Sequence, residues 1–183
     1  MGAAADAQLL RARPHLRLSL RGRGEVDAQR SGSQELRIRS RTHPYLSDLD
    51  WTEAVSEWST VTRDSYIGSS DPMTLNGVRY EKGLGTAGDS RISFALDGKC
   101  SRLTATIGID DAADFTTDGG TAHFFVLVDG KQTYESGLIT REVVKDVDLD
   151  ISGGRTLSLV TDNAGDGFDH DANDWANARV QCG

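Results

Sequence analysis

From Tyr45 onward the chain alternates apolar and polar residues with a period of two, in short runs closed by turn residues. Ile92, Phe94 and Leu96 alternate with Arg91, Ser93 and Ala95 up to Asp97-Gly98, and Leu103, Ala105, Ile107 and Ile109 alternate with Thr104, Thr106 and Gly108. Such alternation turns one face of a strand to a core and the other to water, so the two runs read as a strand pair. The run Ala122 to Val128 meets Asp129-Gly130 and resumes at Lys131, and Asp-Gly between two such runs predicts a hairpin because both residues tolerate positive φ. Val147, Leu149 and Ile151, then Leu157, Leu159 and Val160, then Ala178 to Cys182 supply further strands. No long window carries a 3.6-residue apolar stripe, and Glu53 to Trp58 reads as a single helical turn. The pattern predicts an all-β protein of about eight strands, a β-sandwich of the jelly-roll kind.

Residues 1–43 form a separate piece. Leu16, Leu18 and Leu20, then Leu36 and Ile38, alternate with Arg and Ser around a Gly/Ser/Gln-rich stretch. This reads as two short strands, as the end of a preceding domain, or as a flexible Arg-rich linker, with the boundary at Thr42-His43-Pro44 and the main domain over 44–183. Charge sharpens the division. The piece carries 9 Arg against 4 acids, whereas the remaining residues carry 11 Lys+Arg against 24 acids. An acidic main domain repels a phosphate backbone, which argues against nucleic acid as a partner. No run approaches the ~20 apolar residues of a membrane span, and Met1 to Leu10 does not read as a secretory signal, so no membrane partner is expected.

Candidate chemistry was weighed against plainer roles. Gly83-Leu84-Gly85-Thr86-Ala87-Gly88 matches GxGxxG, but a dinucleotide site needs a helix to start at the glycines, and an alternating run follows instead; a tight loop is the expected role. Thr161 to Ala178 gathers Asp162, Asp166, Asp169, Asp171 and Asp174 in what reads as an acidic loop. Asp169, Asp171 and Asn173 have EF-hand spacing, yet Asp174 stands where that loop requires Gly and Val180 where it requires Glu, which excludes the motif. A paired-carboxylate hydrolase needs a desolvating cleft that a small sandwich does not offer, and no GxSxG motif is present, so no catalytic residue is assigned. His15, His43, His123 and His170 lack metal-ligand spacing. Trp51, Trp58 and Trp175 read either as core residues or as platforms for sugar C–H faces. Cys100 and Cys182 read either as two buried thiols or as a disulfide, and a bond would imply an oxidising compartment.

Six segments taken together carry a resemblance: Tyr45 to Ala54 (YLSDLDWTEA), Asn76 to Thr86 (NGVRYEKGLGT), Ile107 to Asp111 (IGIDD), the VDGKQTYESG hairpin, TDNAGDG, and DWANARV. In this order they resemble carbohydrate-binding module family 51, the NPCBM domain, over about residues 45–182. The resemblance implies a galactose-binding-domain-like sandwich without catalysis of its own, covalently linked to a glycoside hydrolase, secreted, monomeric, and bound to galactose-type glycans. It implies sugar contacts from Glu81, Lys82, Thr86, Asp89, Asp171, Asn173 and Trp175. It also implies a structural Ca2+ held by Asp48, Asp50, Asp174 and Asn177, and a Cys100–Cys182 bond. Two positions depart from the family pattern: Ala87 and Ala172 stand where histidines are usual. Loss of both suggests either an altered ligand or, as the alternative, a spacer domain that has kept the fold and lost sugar binding, with Asn173 and Asp89 as substitute polar contacts.

Overall fold

The computed structural model describes residues 42–113, 119–167 and 169–183. What was inferred for residues 1–41 lies outside them. A short 3-10 turn, Leu46–Asp48, precedes twelve strands. They are β1 (Glu53–Ser56), β2 (Thr62–Arg63), β3 (Met73–Leu75), β4 (Val78–Tyr80), β5 (Gly83–Ala87), β6 (Ser90–Ala95), β7 (Cys100–Ile109), β8 (Thr121–Val128), β9 (Lys131–Thr140), β10 (Lys145–Asp150), β11 (Thr156–Asp162) and β12 (Ala172–Cys182). Two five-stranded antiparallel sheets, ordered β1-β6-β11-β8-β9 and β10-β7-β12-β5-β2, make the sandwich, and β3-β4 forms a separate hairpin. The all-β expectation is met. The additional strands are mostly short edge pieces, too short to show a period in sequence.

The alternating residues face each other across the sandwich: Ile92, Phe94, Phe124, Val126, Leu157 and Leu159 from one sheet, Leu103, Ile107 and Trp175 from the other, all essentially without solvent exposure. Trp175 meets Phe124 edge-to-face at 5.1 Å, a geometry that suits the aromatic quadrupoles. Strand β12 holds its pattern by a change of parity. Asn173 and Trp175 are on the side of the core, a register shift follows between Ala176 and Arg179 with Asn177 at φ 50°, and from there Ala178 and Val180 are buried. One extra residue switches which alternate residues face inward.

Three sequence expectations are corrected. Glu53–Ser56 is strand β1 on the sheet edge, with its burial alternating, rather than a helical turn. The expected acidic loop is shorter, because Ala172 to Ala178 belongs to β12. The glycine-rich segment is strand β5 rather than a loop; its glycines admit close packing, since a Cβ on Gly85 would lie 2.5 Å from Thr62 Oγ1.

The two ends of the described domain are tied together. Thr42 and Cys182 exchange backbone hydrogen bonds of 2.8 and 2.9 Å, Val180 N–H donates to the Pro44 carbonyl, and the Arg179 guanidinium stacks 3.9 Å from the Tyr45 ring. Cys100 and Cys182 are disulfide-bonded, 82 residues apart in sequence. Closing a loop of this length restricts the unfolded chain by about 4–5 kcal/mol on the chain-entropy account. A Cys100→Ala/Cys182→Ala double variant should therefore unfold at a clearly lower urea midpoint. An unchanged midpoint would contradict the assignment of stability to this bond.

Candidate functional site

The cavity of interest opens on the outer face of the second sheet. Ala172 pairs directly with Ala87 across β12 and β5, and the chain from Thr62 to Ile67 crosses over this face. Ala87, Ala172 and Ile67 form the floor of a cavity of about 340 Å³, Trp58 and Tyr66 stand at its wall, and Asp169, His170 and Asp171 contribute polar groups. The size suits one sugar unit rather than a long chain.

Local structure explains how Trp58 comes to be there. Ser56 Oγ accepts the Ala87 N–H at 2.9 Å and donates to the Ala87 carbonyl at 3.0 Å, and Glu57 N–H donates to the same carbonyl. These bonds fix the end of β1 beside Ala87, and Trp58 follows two residues on. Its ring lies against Gly68, where an added Cβ would come within 2.9 Å of the indole, and a φ of +74° further favours glycine. Trp58 is 51% exposed. Trp51 and Trp175 differ: Trp51 is half-buried under the Arg63 guanidinium at 3.6 Å, and Trp175 is completely buried.

The seven residues anticipated for sugar contact fall into separate places. Glu81 is exposed and paired with Arg79 at 2.7 Å, and Lys82 bridges Asp48 and Asp64 at 2.5 and 2.8 Å. Both lie before β5, about 16 Å of strand from Ala87, and are not brought to the cavity. Thr86 and Asn173 are fully buried, Thr86 Oγ1 donating to the Asn173 carbonyl and Asn173 Nδ2 to that of Gly88. Asp89 is exposed and caps the Asn163 N–H. Trp175 belongs to the core, whereas Trp58 lines the cavity. Asp171 alone of the seven lines the cavity. Trp58, Tyr66 and His170 were not singled out as contacts; the Trp58 indole was visible in sequence, but its neighbour Glu53–Ser56 read as a helical turn.

The four residues anticipated for calcium are not gathered either. Asp48 is neutralised by Lys82, Asp50 is exposed, and Asn177 contributes its backbone N–H to the Lys82 carbonyl. Asp174 lies buried beside Asp110, with neither carboxyl oxygen hydrogen-bonded to an available donor. Burial, then the charge of Asp110, push its pKa well above the usual carboxylate range, favouring the neutral acid. Among the described residues no three His, Cys, Asp or Glu side chains are placed to hold one ion. Asp48, Asp50, Asp174 and Asn177 are thus not brought together as one set of ligands.

A sequence profile of the NPCBM/NEW2 domain matches residues 42–181. The chain belongs to the NPCBM/NEW2 family. As a member it is a non-catalytic carbohydrate-binding module. A Renibacterium salmoninarum protein named for endo-alpha-N-acetylgalactosaminidase activity is 33% identical over 145 residues, 75% of this chain and 9% of that protein. Among solved structures, the second CBM51 module of Clostridium perfringens ZmpB, with its INT domains and in complex with GlcNAc, is 27% identical with a TM-score of 0.71, over 77% of this chain and 32% of that one. The CBM51 of Clostridium perfringens GH95, in complex with methyl-galactose, is 29% identical with a TM-score of 0.68, over 76% and 99%. The chain thus spans less than a tenth of the Renibacterium protein and about a third of the ZmpB chain. Among the described residues no helix is long and apolar enough to cross a membrane.

Asp171 has electrostatic consequences. It is 2% exposed, its Oδ1 accepts the Thr121 N–H at 2.9 Å, and its Oδ2 has no partner. Burial, aided by the charges of Asp166, Glu57 and Asp162, pushes its pKa up to about 7. The native state therefore keeps a proton that the unfolded chain releases near 3.8. Stability from this group is complete below that value and is lost as pH rises toward 7. Asp171→Asn should match the wild type near pH 4 and exceed its melting temperature at pH 8; equal melting temperatures at both values would contradict this.

Proposed function

We propose that the cavity beside Trp58 is where the module binds a single sugar unit at the end or branch of a glycan. The observation that supports this most is the half-exposed Trp58 indole held at the wall of an open cavity while the other two tryptophans are committed to packing. A flat aromatic ring covers the C–H face of a pyranose, and Asp169, His170 and Asp171 offer polar partners for hydroxyl or amide groups. The sugars named with the ZmpB and GH95 modules, GlcNAc and methyl-galactose, support a hexose or hexosamine ligand.

In the full polypeptide the module serves a linked glycoside hydrolase acting outside the cell. The Renibacterium relative's name supports such a linkage, and the Cys100–Cys182 bond suits an oxidising compartment. A shallow site with one platform and few hydrogen bonds gives modest affinity, and its benefit to an enzyme is a raised local concentration on the substrate surface.

Calorimetric titration of the chain with methyl-galactose, N-acetylgalactosamine and GlcNAc tests the site. At least one should bind, and Trp58→Ala should weaken that binding by about tenfold or more. Because Trp58 is half exposed, its replacement should shift stability much less than Trp175→Ala, which should destabilise the fold by about 3–5 kcal/mol. Undiminished binding by a folded Trp58→Ala variant would remove this cavity from consideration.

A further inference from the structure

The hydrogen bonds between Ser56 and Ala87 hold the segment that carries Trp58, and a second contact holds the far edge of its ring. That edge meets Gly68: a Cβ built there would lie 2.9 Å from Trp58 Cη2 and 3.0 Å from Cζ3. Both atoms belong to the six-membered ring, remote from the Trp58 backbone. The glycine comes from a different segment, a turn in which Ser69 N–H donates to the Tyr66 carbonyl at 3.2 Å. Tyr66 N–H donates to the Asp71 carbonyl at 3.2 Å, and Asp71 N–H to Ser69 Oγ at 3.0 Å. Ile67 is buried in the main core, and Tyr66 packs on the cluster of Met73, Leu75 and Ala176. The turn is therefore anchored by contacts that do not involve Trp58.

Two demands meet at Gly68. Its φ of +74° has the sign that the third position of a type II turn requires, which glycine adopts without steric cost. Gly77, Gly130 and Gly153 have φ values of +78°, +77° and +78°, yet an added Cβ would meet nothing within 4 Å at any of them. At those turns glycine answers to the backbone alone, whereas at position 68 it also makes room for the indole. Trp58 is 51% exposed, so a methyl on residue 68 is accommodated by the ring turning toward solvent rather than by the turn coming apart. The cost of losing this glycine then falls on where the ring sits.

We propose that Gly68 is a positioning residue for sugar recognition: it seats the far edge of Trp58 and so fixes the plane of the indole before a ligand arrives. This rests on the reading of the cavity as the sugar site. Tyr66 stands at the same wall, two residues before Gly68, so the seat also sets the separation between the cavity's two aromatic side chains. A ring already held in place has little freedom left to lose on binding, and a shallow site gains affinity from that preorganisation.

The test places Gly68→Ala in two backgrounds of the whole chain, wild type and Trp58→Phe, whose shorter ring stops before the Cη2 and Cζ3 positions. NMR titration with methyl-galactose, N-acetylgalactosamine and GlcNAc reads recognition. Trp58 emission, taken as the difference between each protein and its Trp58→Phe counterpart, reads the ring in the absence of sugar. In the wild-type background Gly68→Ala should weaken the best-bound of these sugars by about tenfold or more. It should also move Trp58 emission to longer wavelength and make it more readily quenched by acrylamide. In the Trp58→Phe background the same change should alter affinity by about twofold or less, because turn strain is common to both backgrounds and the clash is not.

Unchanged affinity and emission in Gly68→Ala, or an equal loss of affinity in both backgrounds, would overturn the assigned role and leave the sugar site intact, since the glycine would then serve the turn alone. Should Gly68→Ala fail to fold, a folded Trp58→Phe/Gly68→Ala protein would uphold the clash with the indole, and failure of both would overturn it. Absence of binding by the wild type to all three sugars would overturn the sugar site and this role together.

Discussion

Strand β12 has no wet side over its first half, and the rest of the domain is arranged around that constraint. It runs between β7 and β5 in the second sheet, so both backbone edges are paired. One face of it enters the sandwich with Trp175 against Phe124, and the other lies beneath the β3-β4 hairpin, where Met73 and Leu75 pack on Ala176. A strand enclosed this way normally reads as continuously apolar. Here Asp171, Asn173 and Asp174 are buried as well, and each must be satisfied, neutralised or left waiting for a partner. Asn173 Nδ2 donates to the Gly88 carbonyl while its Oδ1 has no partner, Asp174 is pushed toward its neutral form beside Asp110, and Asp171 keeps a buried Oδ2 without a partner. The position of the cavity and the polarity of its lining both follow from where β12 begins at the edge of the covered region.

The two ends of the described domain are held together by side-chain and backbone contacts. Lys82 draws in Asp48 from the N-terminal turn and Asp64 from the end of β2, while its carbonyl receives the Asn177 N–H from the bulge of β12. Arg179 stacks on Tyr45, and Thr42 pairs with Cys182. A single exposed ion pair contributes little, but Lys82 is shared between two carboxylates and sits beside backbone hydrogen bonds that fix the same segments. The bulge that re-aims Ala178 and Val180 into the core thus also offers the N–H that anchors Lys82.

Much of the sandwich was legible because period-two alternation marks a strand with one dry and one wet face, as in β6, β7 and β11, and because Asp129-Gly130 marks a tight hairpin. The first half of β12 was not legible. Asp171-Ala172-Asn173-Asp174 looks like a turn, and only the tertiary cover supplied by the β3-β4 hairpin makes it a strand. The glycines of β5, whose spacing imitates a nucleotide loop, reflect the chain from Thr62 to Ile67 crossing close by, with Thr62 Oγ1 2.5 Å from where a Cβ on Gly85 would be. The site was half legible. Segment order pointed to the strands that border the candidate cavity, β5 and β12, and the two alanines stood out there. What sequence could not assign was facing: Lys82 and Ala87 are five positions apart yet at opposite ends of a strand, and the choice among three tryptophans depends on contacts made far along the chain.

The hydrogen bonds between Ser56 and Ala87 separate two duties that often compete within one residue. Main-chain atoms of Ala87 steady the segment carrying the indole, whereas its side chain contributes only a methyl to the floor. Exchanging that methyl for a larger or more polar group would reshape the cavity lining while the anchoring bonds stayed in place. The shape of the cavity can therefore change at two facing positions, Ala87 and Ala172, with neither the segment carrying Trp58 nor the sandwich having to be rebuilt.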